Sequence, residues 1–358
     1  MKKELKLKTI FITLFLITLS FNSQAAGDQP FYKASNPLFL YMGRGDFTRT
    51  DHPVFYAAGA QIIFSFKGNS CLLDLTDEHL YGKNLNYIQL LVDGKYSRFK
   101  LSSAKNKISL GELTDTIHTV VICKTTESNI GYLKFNGVYC QELVASQALP
   151  SRKIECFGNS ITCGTGSDME DIPCGKGEWQ DQHNAYMSYG AQTARALHAQ
   201  YHLTSASGIG LMHSCCDMKV IMPQIYDKIN LRDNLLTWNF SNYQPDVVTI
   251  CLGQNDGVQD QKIFCNKYID FIQSLRKGYP TARIVLLTSP MGDEKLTTML
   301  KSYLTIIANE SNKNGDKYVS TFFFSRSYNS GCDTHPSLAE HKLIAAELTA
   351  CLKELMKW

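Results

Sequence analysis

Two patterns of apolar and polar residues divide the chain, and they meet near Pro150. From about Phe31 to Leu149 the apolar residues come in short alternating runs broken by Gly, Asn and Asp, as at 60–66, 87–92 and 119–122. A period of two is that of a half-buried strand. Asp93-Gly94, set between two such runs, predicts a tight hairpin. No helical period of useful length appears in this half. It is expected to form an all-β sandwich, jelly-roll-like by its strand count.

From Lys153 the pattern changes to strands alternating with amphipathic helices. Strands are expected at 154–157, 247–252, 283–287 and 317–324, and helices at 186–199, 264–276 and 336–356. Pro336 fits the first position of the last helix, where its missing N–H costs nothing. Such alternation implies an α/β domain built on a parallel sheet covered on both faces. Residues 166–184 make a long strand-to-helix connection, and loops of that length in compact domains are functional or mobile.

The first residues stand outside both patterns. Lys2, Lys3, Lys6 and Lys8 precede an apolar run at 10–21, and Ser23-Gln24-Ala25-Ala26 supplies small residues for cleavage. That is the layout of a signal peptide, and the run is too short to span a bilayer. The expected organisation is therefore a signal peptide at 1–26, a β-domain at 27–150 and a second domain at 151–358. The mature protein is expected to be secreted or periplasmic, with no membrane segment.

Charge narrows the partners. The net charge is +3, and no Lys/Arg run of the kind that tracks phosphates is present, which argues against nucleic acid. Of the 12 cysteines, Cys156 and Cys251 fall in strand-like runs and are expected to be buried thiols. Cys163, Cys174, Cys215, Cys216 and Cys332 fall in loops, where export would permit one or two disulfides. No Cys/His group has zinc spacing, so neither a metal nor another cofactor is expected.

Parallel sheets bind ligands at the carboxyl ends of their strands. Four segments fall there: Gly158-Asn159-Ser160, Ser207-Gly208-Ile209-Gly210, Gly253-Gln254-Asn255-Asp256 and Asp333-Thr334-His335-Pro336. They supply a hydroxyl on a tight turn, a His with an Asp two residues away, and donors for an oxyanion. Acyl transfer needs that set.

Phe157-Gly158-Asn159-Ser160-Ile161-Thr162-Cys163-Gly164 resembles the first block of the SGNH (GDSL-type) hydrolases, and the other three segments resemble its later blocks in the same order. With the preceding β-domain and the stretch at 183–190, the chain is most similar to carbohydrate esterase family 2. The resemblance implies a flavodoxin-like catalytic domain behind a jelly roll. It implies Ser160 as nucleophile, His335 as base, and the Ser160 N–H, Gly208 N–H and Asn255 amide as oxyanion donors. Asp333 either orients His335 or is a turn residue beside a Ser–His dyad of the kind some members use. An adjacent carboxylate would raise the His335 pKa and burial would lower it, which puts the base's titration near or somewhat above neutrality. Asn159 stands where the family usually has Asp, and Gln254 where Thr is commoner. Asp256 is expected to tie down its own loop.

Trp179 is a candidate for stacking a sugar ring, or else a loop anchor. Arg44 either reaches the site rim, as a similar Gly-Arg pair does in the family, or makes an interdomain salt bridge. The function implied is removal of O-acetyl groups from a polysaccharide or oligosaccharide of xylan or mannan type. A lipid or thioester hydrolase, and a carbohydrate-binding protein with a decayed site, are the alternatives.

Overall fold

The computed structural model describes residues 29–358, so the expected signal peptide lies outside the described residues. One long strand, Gln61–Asp77, organises the antiparallel half. It pairs along its length with Leu133–Val144, while its other edge passes from Thr116–Lys124 to Lys105–Ser109. Its buried apolar residues are Ile62, Phe64 and Phe66, then Cys71, Leu73 and Leu75. The inward parity changes across the register shift opposite Cys140–Glu142. A bulge of that kind lets one strand turn the corner between two layers.

The expected hairpin is present. Val92 pairs with Lys95, and Asp93 and Gly94 take φ of 51° and 79°, the left-handed pair that a type I′ turn requires.

The second half holds five parallel strands, in the spatial order Ala199–Ser205, Arg152–Gly158, Val247–Ile250, Arg283–Leu287 and Val319–Phe322. Numbered along the chain, this is the flavodoxin-like order 2-1-3-4-5. Apolar clusters fill both faces of the sheet. Among the described residues no helix is long and apolar enough to cross a membrane.

Three differences from the sequence reading have local causes. The helix expected at 186–199 runs only Tyr189–Ala196, because His198 takes a left-handed φ of 51° and turns the chain into the edge strand Ala199–Ser205. An additional helix, Glu294–Lys313, buries Leu296, Met299, Leu300, Leu304 and Ile307 at helical spacing. The last helix is Leu338–Met356, with Ser337 as N-cap and Glu340 closing a capping box. Pro336 lies just outside it, not at its first turn.

The two halves are joined by buried polar contacts. Arg44 donates to Glu155 at 2.6 Å and to the carbonyls of Tyr226 at 2.6 Å and Lys228 at 3.0 Å. Both charged groups are buried, and the guanidinium stacks near Trp238 and Phe240. Arg44 is thus the interdomain salt-bridge donor and does not reach the site rim.

Candidate active site

The nucleophile candidate directly follows Arg152–Gly158, the strand that lies between Ala199–Ser205 and Val247–Ile250. Asn159 caps the short helix Ser160–Cys163 by accepting the Ile161 N–H at 3.1 Å, which sets Ser160 at the first helical position. Any side chain at Gly158 would collide with Thr162, so the turn into this helix needs glycine there. The amide nitrogen of Asn159, which an Asp would lack, is buried without a partner.

His335 Nε2 lies 2.8 Å from Ser160 Oγ. Its Nδ1 lies 3.1 Å from the main-chain oxygen of Cys332. Nδ1–H therefore donates to a carbonyl, leaving Nε2 as the acceptor that faces the serine. The Asp333 carboxylate does not hold the imidazole. The single turn Cys332–Thr334 places Asp333 at a left-handed φ of 51° with its side chain exposed, and folds the Cys332 carbonyl under the ring. The geometry is that of a dyad oriented by main chain.

Burial is the largest influence on His335 and pushes its pKa below the ordinary imidazole value, against smaller upward pulls from the Cys332 carbonyl and the Asp333 charge. The titration expected near or above neutrality is thus displaced downward.

The other blocks converge on the same cleft, which has a volume of about 590 Å³ and is lined by Ser160, Gly208, Asn255 and His335. Gly208 takes a φ of +82°, and its N–H has no acceptor among the described residues. Asn255 Nδ2 donates to the Ile209 carbonyl at 2.8 Å, which aims the amide across the Gly208 loop. Asp256 ties the neighbouring loop more than its own, accepting the N–H groups of Leu211, Met212 and His213 at 2.9, 2.6 and 3.0 Å. Gln254 accepts from Ser289 Oγ at 2.5 Å and forms cleft wall.

Trp179 lines the cleft and is 46% exposed, with its ring nearly perpendicular to that of His183 at 4.2 Å between centroids. Its loop is held by the β-domain: Tyr87 and Lys100 reach Asp181 at 2.9 and 2.7 Å, and Arg98 donates to the Asp181 carbonyl at 2.7 Å. A disulfide between Cys174 and Cys332 ties the same loop to the histidine turn, so the long connection is anchored at both ends of the site.

Sequence reasoning missed several residues that line the cleft. Asn129 enters from the β-domain, and a disulfide between adjacent Cys215 and Cys216 forms part of the wall with Met218. Met291 closes another side. Loop cysteines were the only available signal, and Cys163 among them is a buried free thiol.

A serine–histidine pair at the carboxyl edge of a 2-1-3-4-5 sheet, with donors from successive strand ends, defines the SGNH (GDSL-type) hydrolase class. The comparisons agree. A model of the carbohydrate esterase 2 N-terminal domain matches residues 41–150, and one of the GDSL-like lipase/acylhydrolase family matches 156–343. A cellulase/esterase (CelE) of Acetivibrio thermocellus is 32% identical over 340 residues, covering 90% of this chain, while the chain spans 40% of that protein's length. An acetylxylan esterase / glucomannan deacetylase of Cellvibrio japonicus is 28% identical over 340 residues, covering 91% of each. The structure of a family two carbohydrate esterase from Clostridium thermocellum, in complex with cellohexaose, superposes with a TM-score of 0.82 at 31% identity, over 89% of this chain and 99% of that one. The chain belongs to carbohydrate esterase family 2.

Proposed function

We propose that this protein is an exported serine esterase that removes O-acetyl groups from a polysaccharide or oligosaccharide of xylan or mannan type. The observation that carries the reading is the 2.8 Å contact between Ser160 Oγ and His335 Nε2 beside the unpaired Gly208 N–H. Ser160 attacks the acetyl carbonyl as His335 takes its proton at Nε2. The resulting oxyanion is met by the N–H groups of Ser160 and Gly208 and by the Asn255 amide. His335 then gives the proton to the departing sugar oxygen, and a water activated by the same imidazole releases acetate. The Cys332 carbonyl keeps the ring in the working tautomer and accepts from the imidazolium that forms.

Two disulfides accord with export into an oxidising compartment. Trp179 at the mouth offers a face for a sugar ring. The relatives named for acetylxylan and glucomannan suggest the acetylated glycan. Met218 and Met291 give the cleft apolar wall, which keeps the lipid or thioester reading as the comparison arm. The test is acetate release from acetylated xylan and glucomannan beside hydrolysis of acetyl and long-chain 4-nitrophenyl esters. Ser160→Ala should abolish acetate release while leaving the melting temperature in place. More than a few per cent of residual activity, or a preference for long chains, would overturn the assignment.

A further inference from the structure

The turn after the strand Thr116–Lys124 belongs to the antiparallel domain, yet residues 124–128 are all buried. It carries two ionisable side chains, Lys124 and Glu127, with no exposed surface. Lys124 Nζ donates to the carbonyls of Thr126 at 2.6 Å and Glu127 at 3.1 Å, which holds the turn in shape. Glu127 Oε2 accepts the Ser207 N–H at 2.6 Å and lies 3.6 Å from the Cys163 thiol. Its other oxygen, Oε1, has no partner. A carboxylate buried in this state is costly, and apolar side chains of similar volume would join two domains at least as well.

What it grips is the residue before Gly208. A glycine at positive φ lacks the Cβ that would restrict its flanking peptides, so the peptide carrying the Gly208 N–H can turn away at little cost unless its neighbours are held. Three bonds hold them. Glu127 fixes the Ser207 N–H, Thr165 Oγ1 lies 2.8 Å from Ser207 Oγ, and the Cys215 N–H donates to the Gly208 carbonyl at 2.8 Å. Among these groups the Gly208 N–H is the one without an acceptor among the described residues, in a cleft that Ser160 also lines.

We propose that Glu127 is a positioning residue for the esterase reaction: from the antiparallel domain, it anchors Ser207 so that the Gly208 N–H stays aimed at the developing oxyanion. The inference rests on the reading of Gly208 as an oxyanion donor. It makes the catalytic domain incomplete without its neighbour, since the carboxylate comes from the other fold.

The test uses the full-length protein, 4-nitrophenyl acetate and a boronic acid that forms a tetrahedral adduct with the serine, all normalised to titrated active sites. Glu127→Met keeps the length of the side chain and removes the acceptor. Losing an oxyanion donor outright costs about 10²–10³ in kcat, so a loosened one should cost roughly 10- to 100-fold, with KM within about twofold because the interaction belongs to the transition state. Boronate affinity should fall by a similar factor. Glu127→Gln retains an amide oxygen for the Ser207 N–H and should recover most of the loss. If Glu127→Met does not fold, Glu127→Asp, which withdraws the acceptor by one methylene, is read the same way. Wild-type kcat per titrated serine in the Met variant (or the Asp variant in its place), unchanged boronate affinity, or no rescue by Gln would each overturn the proposal. A wild-type protein with no ester turnover would instead sink the esterase reading itself.

Discussion

Replacing Asp333 by Asn separates a triad from the dyad seen here. Where a buried Asp holds the catalytic imidazole, the change to Asn costs about 10⁴ in kcat, because the ring is offered the wrong hydrogen-bond partner. In this protein Nδ1 is already satisfied by the Cys332 carbonyl, and the Asp333 side chain is exposed. Only its charge should matter. Two unit charges about 4 Å apart in water interact by ~1 kcal/mol, and one pH unit corresponds to about 1.4 kcal/mol. Asp333→Asn should therefore lower kcat/KM less than tenfold and move the titration of His335 by under about one unit. The sign is fixed by the roles of the groups. His335 accepts a proton only when neutral, so log kcat/KM should rise with pH at unit slope and level off below the ordinary imidazole value of about 6.5, since burial dominates. The Asp333 charge raises the pKa, so Asn should shift the midpoint down. The assay is a pH profile of 4-nitrophenyl acetate hydrolysis from pH 4 to 8 for both proteins. A thousandfold loss, or a downward shift well beyond about one unit, would show that the carboxylate swings onto the ring in the working enzyme, and an upward shift would refute the sign.

Three further outcomes follow from the same geometry. Arg44→Ala leaves Glu155 buried without its cation and should destabilise the protein by about 3–5 kcal/mol in urea unfolding, with KM for 4-nitrophenyl acetate unchanged. A loss under about 1 kcal/mol with a raised KM would return Arg44 to the substrate site. Trp179→Ala should raise KM for acetylated polysaccharide and leave KM for the small ester alone; equal effects on both would make it a loop anchor only. His183 and His341 are fully buried, and burial holds each pKa down to about 3. Unfolded, each titrates near about 6.5, so their stability is complete above that pH and is lost as pH falls toward 3, at up to ~1.4 kcal/mol per unit per group. His341→Asn preserves an acceptor for the Tyr189 N–H and should flatten the fall between pH 7 and 5; an identical slope would contradict the assignment.

The sequence by itself determined the elements whose signals are local. A period of two and Asp93-Gly94 specify a hairpin because turn chemistry and strand twist act over four residues. Alternation of strands with helices specified the parallel sheet, and the order of four short blocks specified which strand ends carry Ser160, Gly208, Asn255 and His335. The missed helix, Glu294–Lys313, had a readable period, whereas the edge strand Ala199–Ser205 rested on one backbone turn at His198 that no side-chain pattern announces. The partner of the imidazole was decided only in three dimensions, because a carbonyl carries no residue-specific mark and Asp333 looked equally placed along the chain. Arg44 and Glu127 were decided the same way. Each acts across the domain boundary on a group more than 75 positions away, and burial of a charge depends on what the other domain brings to it.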